Sequence, residues 1–147
     1  MNQSDYLKSL GEAINHLDES IVWLERSFGK CKVLKNKKHF TPDEFDLLEA
    51  LTSRFGRTAD LLINKVFRSL DAVEFEDKGS AIDIINRAHK RGLFEDIDQI
   101  RQIKDLRNEI VHEYKKANLE EIFAQVLEFT PLLLEIAQKT KVYSRKY

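Results

Sequence analysis

The stretch that decides the fold is residues 41–75, TPDEFDLLEALTSRFGRTADLLINKVFRSLDAVEF. It begins with Thr41, Pro42 and Glu44, which are a helix N-cap, a first-turn proline and the acidic residue that completes a capping box. Apolar side chains then recur every three or four residues, the spacing of one face of an α-helix. The stripe consists of Leu48, Leu51, Phe55, Ala59, Leu62, Val66, Leu70 and Val73. We therefore predict one long helix that buries this face and ends near Phe75.

The segment before this helix predicts another long helix. Its apolar residues alternate spacings of three and four, a heptad-like seam that packs along a neighbouring helix. They are Leu7, Leu10, Ile14, Leu17, Ile21, Leu24 and Phe28. Gly29 fits the C-terminal end of this first helix.

Three more helices are predicted after residue 79. Ser80 begins a short third helix that ends at Arg91-Gly92, and Asp96 begins a fourth that runs to about Tyr114. Asn118 begins a fifth, in which Pro131 predicts a kink or break because proline lacks an amide donor. The tail 141–147 is expected to fray.

Composition agrees with a helical domain. Among 147 residues there are only 5 Gly and 2 Pro, and 33% are charged. We predict an all-α fold, an antiparallel four-helix bundle with an additional short helix, in a single domain that covers residues 1–147.

Several classes of protein are disfavoured. The net charge of -1 gives no overall basic field for nucleic acid. The single Cys31 excludes an internal disulfide, and no apolar run approaches a membrane span. We expect a cytoplasmic protein with no membrane contact. The four histidines lie far apart without His/Cys ligand spacing, and no Gly-rich phosphate loop occurs, so neither a metal nor a cofactor is expected.

One segment combines chemically useful side chains, Arg107-Asn108-Glu109-Ile110-Val111-His112-Glu113-Tyr114. On a helical wheel Asn108 and His112 share a polar stripe, whereas Arg107 and Tyr114 fall in the apolar arc. A buried guanidinium needs a partner. Arg107 could pair with an internal carboxylate, or it could open into a cleft or a subunit interface.

Each of these residues alone has a structural interpretation. Arg107 would be an ion pair, Tyr114 would be core or rim packing, and His112 would be a helix-end cation. Together they match the needs of metal-free RNA cleavage, in which a ribose 2′-hydroxyl attacks the adjacent phosphate. An imidazole can move protons near neutral pH, a guanidinium can stabilise phosphoryl charge, and an amide can orient either group. Because Arg107 and His112 are about 140° apart, a site using both needs two facing helices or a deep groove.

Basic side chains provide weaker candidates for RNA contact. Those on the second helix are Arg54, Arg57, Lys65 and Arg68, and those on the polar stripe of the fourth helix are Arg101 and Lys104. An ordinary solvated face explains the same pattern.

The Arg-Asn-x-x-x-His-x-Tyr pattern of residues 107–114, on a long helix after Gly92-Leu93-Phe94, resembles the HEPN superfamily. The closest likeness is to HepT-type toxins, and it is best over residues 80–129. The resemblance implies a homodimer and a metal-independent endoribonuclease of a toxin–antitoxin pair, with Arg107, Asn108 and His112 in the catalytic site. It also implies that an MntA-type minimal nucleotidyltransferase silences the toxin by transferring AMP to Tyr114.

Two further hypotheses stay open at this point. The chain could be a non-catalytic binding module, or substrate-binding partner, of a nucleotidyltransferase, which the weak overall basicity favours. It could also be a helical dimer with a structural role only.

Overall fold

The computed structural model describes residues 2–75, 79–112 and 116–147. Within these ranges the fold is all-α and contains no strand. The helices are α1 (Gln3–Cys31), α2 (Pro42–Asp60, continued by Leu61–Val66 and Phe67–Val73), α3 (Ala81–Lys90), α4 (Ile97–His112) and α5 (Lys116–Ser144). A 3₁₀ turn, Lys32–Leu34, follows α1. No helix in these ranges is long and apolar enough to cross a membrane.

The helix starts agree with the capping signals in the sequence. At α2 the Glu44 amide donates to Thr41 Oγ1 (3.2 Å), and the Thr41 amide donates to Glu44 Oε1 (2.9 Å). At α4 the Asp98 amide donates to Asp96 Oδ1 over 2.8 Å. These contacts satisfy donors that have no partner within the helix. The predicted starts of both helices are therefore confirmed.

Helix α2 lies at the centre of the packing and contacts α1, α4 and α5. All eight residues of its predicted stripe are at most 2% exposed. Between Asp60 and Phe67 this helix adopts π geometry, in which each hydrogen bond reaches one residue further than in an α-helix. The sequence analysis did not predict this segment.

Two helix ends and one interior position differ from expectation. Helix α1 continues past Gly29 to Cys31. Helix α5 passes through Pro131 and reaches Ser144, so of the predicted kink or break the break is wrong, and most of the predicted tail is helical. Pro131 lies at an exposed position, and the buried runs on both sides hold α5 in place. Packing of an apolar face outweighs the loss of one backbone hydrogen bond.

A buried polar cluster joins α2, α3 and α5 at one end of the bundle. Asp71, 1% exposed, pairs with Arg87 (2.9 Å) and with Arg91 (2.7 Å). Arg91 Nε also pairs with Glu74 (2.9 Å), which accepts a 2.6 Å hydrogen bond from the Tyr143 hydroxyl. Buried charges are tolerated when they are paired in this way.

Candidate functional site

The candidate motif occupies the last turns of α4. Ile100, Ile103 and Leu106 are buried and fix the inward face of that helix. Arg107 and Asn108 follow Leu106 and are both half-buried, whereas His112 is the last described residue of α4 and is exposed. Tyr114 lies outside the described residues.

Arg107 is held by a carboxylate of the neighbouring helix. Its Nη2 lies 3.0 Å from Oδ1 of Asp60, and its Nη1 donates to Oδ1 of Asn108 over 3.2 Å. The Arg107 side chain is nevertheless 27% exposed. Of the alternatives left open by the sequence, an internal ion pair is therefore present, but the guanidinium still reaches solvent.

Asp60 connects this arginine to the π segment. It is the last α-helical residue before Leu61–Val66, and its Oδ1 also accepts a 2.7 Å hydrogen bond from the Asn64 amide. Segments of π geometry are found frequently at functional sites. Sequence reasoning missed Asp60 and Asn64, although an Asp-x-x-x-Asn pair on one helix face was visible as a possible hydrogen bond.

The two helices approach closely beside this contact. A Cβ built on Gly56 of α2 would lie 3.7 Å from Cγ2 of Ile110 on α4. Gly56 therefore faces the Ile110 side chain at ordinary contact distance, one turn away from the Arg107–Asp60 pair. This contact packs α4 against α2 beside Arg107.

His112 is not brought to Arg107 within one chain. The two positions differ by five residues, which is about 140° of rotation and about 7.5 Å of rise on an α-helix. Among the described residues, no hydrogen bond or ion pair engages the His112 ring, and its neighbour Val111 is 55% exposed. The prediction that Arg107 and His112 meet across a dimer seam stays a prediction.

The family model described as Ribonuclease HepT-like matches residues 30–140. The chain belongs to the HepT-like ribonuclease family. No curated protein and no solved structure gives a match.

The match places this HepT-like chain within the superfamily that its motif resembles. It covers all of α2, α3 and α4 and most of α5, so the Arg107–Asp60 contact and His112 both lie inside it. Most of α1 lies outside it. Features that α1 contributes are therefore not explained by the family match.

The other predicted RNA contacts of this HepT-like protein differ in how exposed their side chains are. Arg57, Lys65, Arg68 and Arg101 are exposed, and Lys104 is half-buried. Arg101 lies 3.8 Å from Asp98, and both side chains are at least half exposed. The π segment changes the rotation between Arg57 and Lys65, so an ideal α-helical wheel misplaces the basic residues that follow it.

Arg54 is set apart from these solvated cations. It is half-buried, its Nη1 donates to Ser27 Oγ over 2.7 Å, and its guanidinium lies 4.9 Å from the ring centre of Trp23. It is therefore built into the contact between α1 and α2.

The described residues hold no group of three or more His, Cys, Asp or Glu side chains suited to a metal ion.

Proposed function

We propose that this HepT-like protein is a metal-independent endoribonuclease toxin that acts as a homodimer. One observation carries the proposal. Arg107 is a guanidinium anchored by Asp60 and Asn108 yet open to solvent, on the same helix as the exposed His112. An anchored cation and an exposed imidazole on the same helix could supply charge stabilisation and proton transfer, the two requirements of this reaction.

The chemistry follows from RNA itself, because the nucleophile belongs to the substrate. A neutral His112 imidazole takes the proton of a ribose 2′-hydroxyl while the 2′-oxygen forms a bond to phosphorus. The bond from phosphorus to the 5′-oxygen breaks, and a protonated imidazole gives its proton to that oxygen. Arg107 stabilises the charge on the phosphoryl oxygens, and Asn108 orients the guanidinium.

A dimer explains how these groups meet. One helix points Arg107 and His112 in directions about 140° apart, whereas two antiparallel copies of α4 can place the Arg107 of one beside the His112 of the other. Two copies also supply both imidazoles, one as base and one as acid. The cleft between the copies would then hold the scissile phosphate.

Silencing of the toxin is the second part of the proposal. An MntA-type nucleotidyltransferase would join AMP to the hydroxyl of Tyr114 as pyrophosphate leaves the nucleoside triphosphate. The modified phenol would carry bulk and negative charge two residues from His112. That charge would repel an RNA phosphate from the same cleft.

Cleavage by purified protein in EDTA tests the ribonuclease. We expect the wild-type protein to cleave single-stranded RNA and His112→Ala to lose that activity. His39→Ala is the matched control, because His39 is an exposed histidine of the connector before α2. Equal growth of cells that express wild type and His112→Ala, together with no cleavage in EDTA, would refute the ribonuclease.

Intact mass after co-expression with a minimal nucleotidyltransferase tests the silencing. We expect a gain of one or more AMP units on the wild-type chain and none on Tyr114→Phe. A gain that persists in Tyr114→Phe would place the modification elsewhere.

A non-catalytic binding module is the second candidate. It is favoured by the ion pair of Arg107 with Asp60, because an arginine already engaged inside the chain can serve packing alone. This candidate predicts complex formation with the nucleotidyltransferase and no cleavage of RNA. Loss of cleavage in His112→Ala would exclude it.

A further inference from the structure

A cavity of about 420 Å³ opens between α1 and α2, away from the Arg107 motif. Helix α1 lines it with His16, Glu19 and Trp23, and α2 lines it with Arg54 and Arg57. The α1 residues lie before residue 30, outside the part of the chain that matches the family model. The cavity therefore combines an aromatic ring and an imidazole from outside the matched region with two cations from inside it.

Trp23 is the most informative residue of this cavity. It is the single tryptophan of the chain, and it is 53% exposed. Its backbone carbonyl accepts from Arg54 Nη1 (3.4 Å), and the same guanidinium lies 4.9 Å from the ring centre. Arg54 lies against one face, and Trp23 is still about half exposed. The ring therefore has a cation at one face and retains exposed surface on which a base could stack.

Arg54 is itself held in place, whereas Arg57 is not. Arg54 Nη1 donates to Ser27 Oγ, a side chain that is 3% exposed. Arg57 is exposed, and within the described residues no ion pair or hydrogen bond engages it. The cavity therefore presents one fixed aromatic platform and one cation with free donors. Glu19 adds an acceptor, which can receive a hydrogen bond from a sugar hydroxyl or a base amino group.

We propose that this cavity binds one nucleotide of single-stranded RNA, with its base stacked on Trp23 and its phosphate paired with Arg57. Proteins that hold single strands combine aromatic platforms with cations in this way, and every base offers a face for stacking. The site rests on the proposed function, because it supplies a binding subsite for the same RNA.

The position of the cavity relative to Arg107 supports a flanking nucleotide instead of the scissile one. Helix α2 separates the two, since Gly56 faces Ile110 of α4 while Thr58 hydrogen-bonds to Ser20 of α1. The cavity also includes Leu61, which directly follows Asp60, the partner of Arg107. The two places are thus about one helix diameter apart, roughly 10 Å. A strand that crosses the middle of α2, near Asp60 and Leu61, would contact both.

Fluorescence provides a direct measurement, because all tryptophan emission comes from Trp23. His112→Ala protein, in which the RNA stays intact, would be titrated with a twelve-residue oligoadenylate. Stacking predicts saturable quenching of the emission. Binding of the same dye-labelled oligonucleotide, followed by anisotropy, should weaken about tenfold or more in Trp23→Ala and partly recover in Trp23→Phe.

Arg57→Ala tests the phosphate contact. We expect weaker binding and a shallower dependence of binding on salt, because one cation–phosphate contact is lost. Arg26→Ala is the matched control, since Arg26 is an exposed arginine of α1 that does not line the cavity. Equal weakening in both variants would mean general charge attraction and would overturn the site.

Three other results would overturn the inference. One is RNA binding without quenching of Trp23. Another is quenching by free AMP as strong as by the oligonucleotide, which would indicate a mononucleotide site. The last is a change of molecular mass in solution on Trp23→Ala, which would make this face a contact between copies of the chain.

The failure of this inference and the failure of the proposed function look different. If wild type cleaves RNA and Trp23→Ala cleaves it with the same KM, the cavity site fails and the ribonuclease stands. If neither protein cleaves RNA but Trp23 is quenched by it, the binding site stands and the ribonuclease fails.

Discussion

Two arginines of this protein differ in how their guanidinium groups are surrounded, Arg91 in the buried cluster and Arg107 in the candidate site. Arg91 is 5% exposed and pairs with both Asp71 and Glu74. Arg107 is 27% exposed and contacts one carboxylate, Asp60, and one amide. The first is enclosed by its partners, whereas the second is anchored at one side and open at the other. Only the second can also approach a phosphate.

The π segment of α2 lies between Asp60, the partner of Arg107, and Asp71, a partner of Arg91. Buried residues of this helix recur in pairs every four positions, as Thr58 with Ala59, Leu62 with Ile63, Val66 with Phe67, and Leu70 with Asp71. On an ideal α-helix a four-residue repeat drifts by about 40° each time. The wider π turn offsets this drift, so Asp71 stays buried against Arg91 while Asp60, before the segment, stays beside Arg107.

The largest expected effect is on stability at Arg91. Arg91→Met removes one partner of a carboxylate that is 1% exposed, and this type of change costs about 3 kcal/mol of unfolding free energy or more. Urea denaturation measures it. Arg107→Met, in the half-exposed pair, is the control and should cost less than about 1 kcal/mol. Equal losses would break the distinction between the two arginines.

For the rate of RNA cleavage we expect the opposite order, with Arg107→Met more harmful than Arg91→Met. Arg107→Met is expected to reduce kcat for RNA cleavage by about 100-fold or more, because a donor to the transition state is removed. Arg91 lies in the other cluster, so Arg91→Met protein that remains folded should keep nearly wild-type kcat. A folded Arg91→Met protein without activity would contradict this assignment.

Asp60 offers a finer test of the open arginine. Asp60→Asn keeps the shape but removes the charge that anchors Arg107, and we expect kcat to fall about tenfold with little change in KM. Asp46→Asn, an exposed carboxylate of the same helix, is the control. A faster enzyme would mean that Asp60 competes with RNA for the guanidinium.

The enclosed cluster should also respond to pH. Burial alone would raise the pKa of Glu74, but hydrogen bonds from Tyr143 and Tyr147 and the contact with Arg91 outweigh it and lower that pKa below its usual 4.5. A lowered carboxyl pKa stabilises the fold above pH 4.5, and this stabilisation is lost as pH falls through the lowered value.

Glu74→Gln measures this contribution. At pH 7 it should reduce the unfolding free energy by about 1–2 kcal/mol, since charge-assisted hydrogen bonds are weakened. The difference from wild type should shrink as the pH falls below 4.5. A difference that is constant from pH 7 to pH 3 would show that the charge of Glu74 does not matter.

The sequence predicted most of the helices because their signals are local. The capping residues at Thr41 and Asp96 and the stripe of α2 each depend on neighbours within a few positions. The continuation of α5 through Pro131 depends instead on packing against other helices. Helix propensity, which is a local property, does not include that packing.

The candidate site was predictable in its residue types but not in its contacts. The motif indicated Arg107 and His112, and the wheel correctly indicated that Arg107 needs a partner. That partner, Asp60, is 47 positions away in the sequence, and nothing in a single sequence couples the two. The π segment was not readable either, because the apolar stripe of α2 keeps the three-and-four spacing of an α-helix, and the burial of polar Thr58 and Asp71 is known only from the structure.

The smallest expected effect concerns the distance between α2 and α4 beside Arg107. Gly56→Ala should raise the unfolding free energy by about 0.5–1 kcal/mol, because alanine favours helix over glycine. The new Cβ would make an ordinary contact, 3.7 Å from Ile110 Cγ2. Gly11→Ala on α1 is the control, since nothing lies within 4 Å of its Cβ position and only helix propensity changes there. Thermal unfolding of both variants, combined with RNA cleavage, separates the two contributions. If Gly56→Ala is as stable as Gly11→Ala but loses activity, then the spacing of α2 and α4 sets the position of Arg107. If it keeps full activity, the anchor at Asp60 is sufficient to hold the guanidinium.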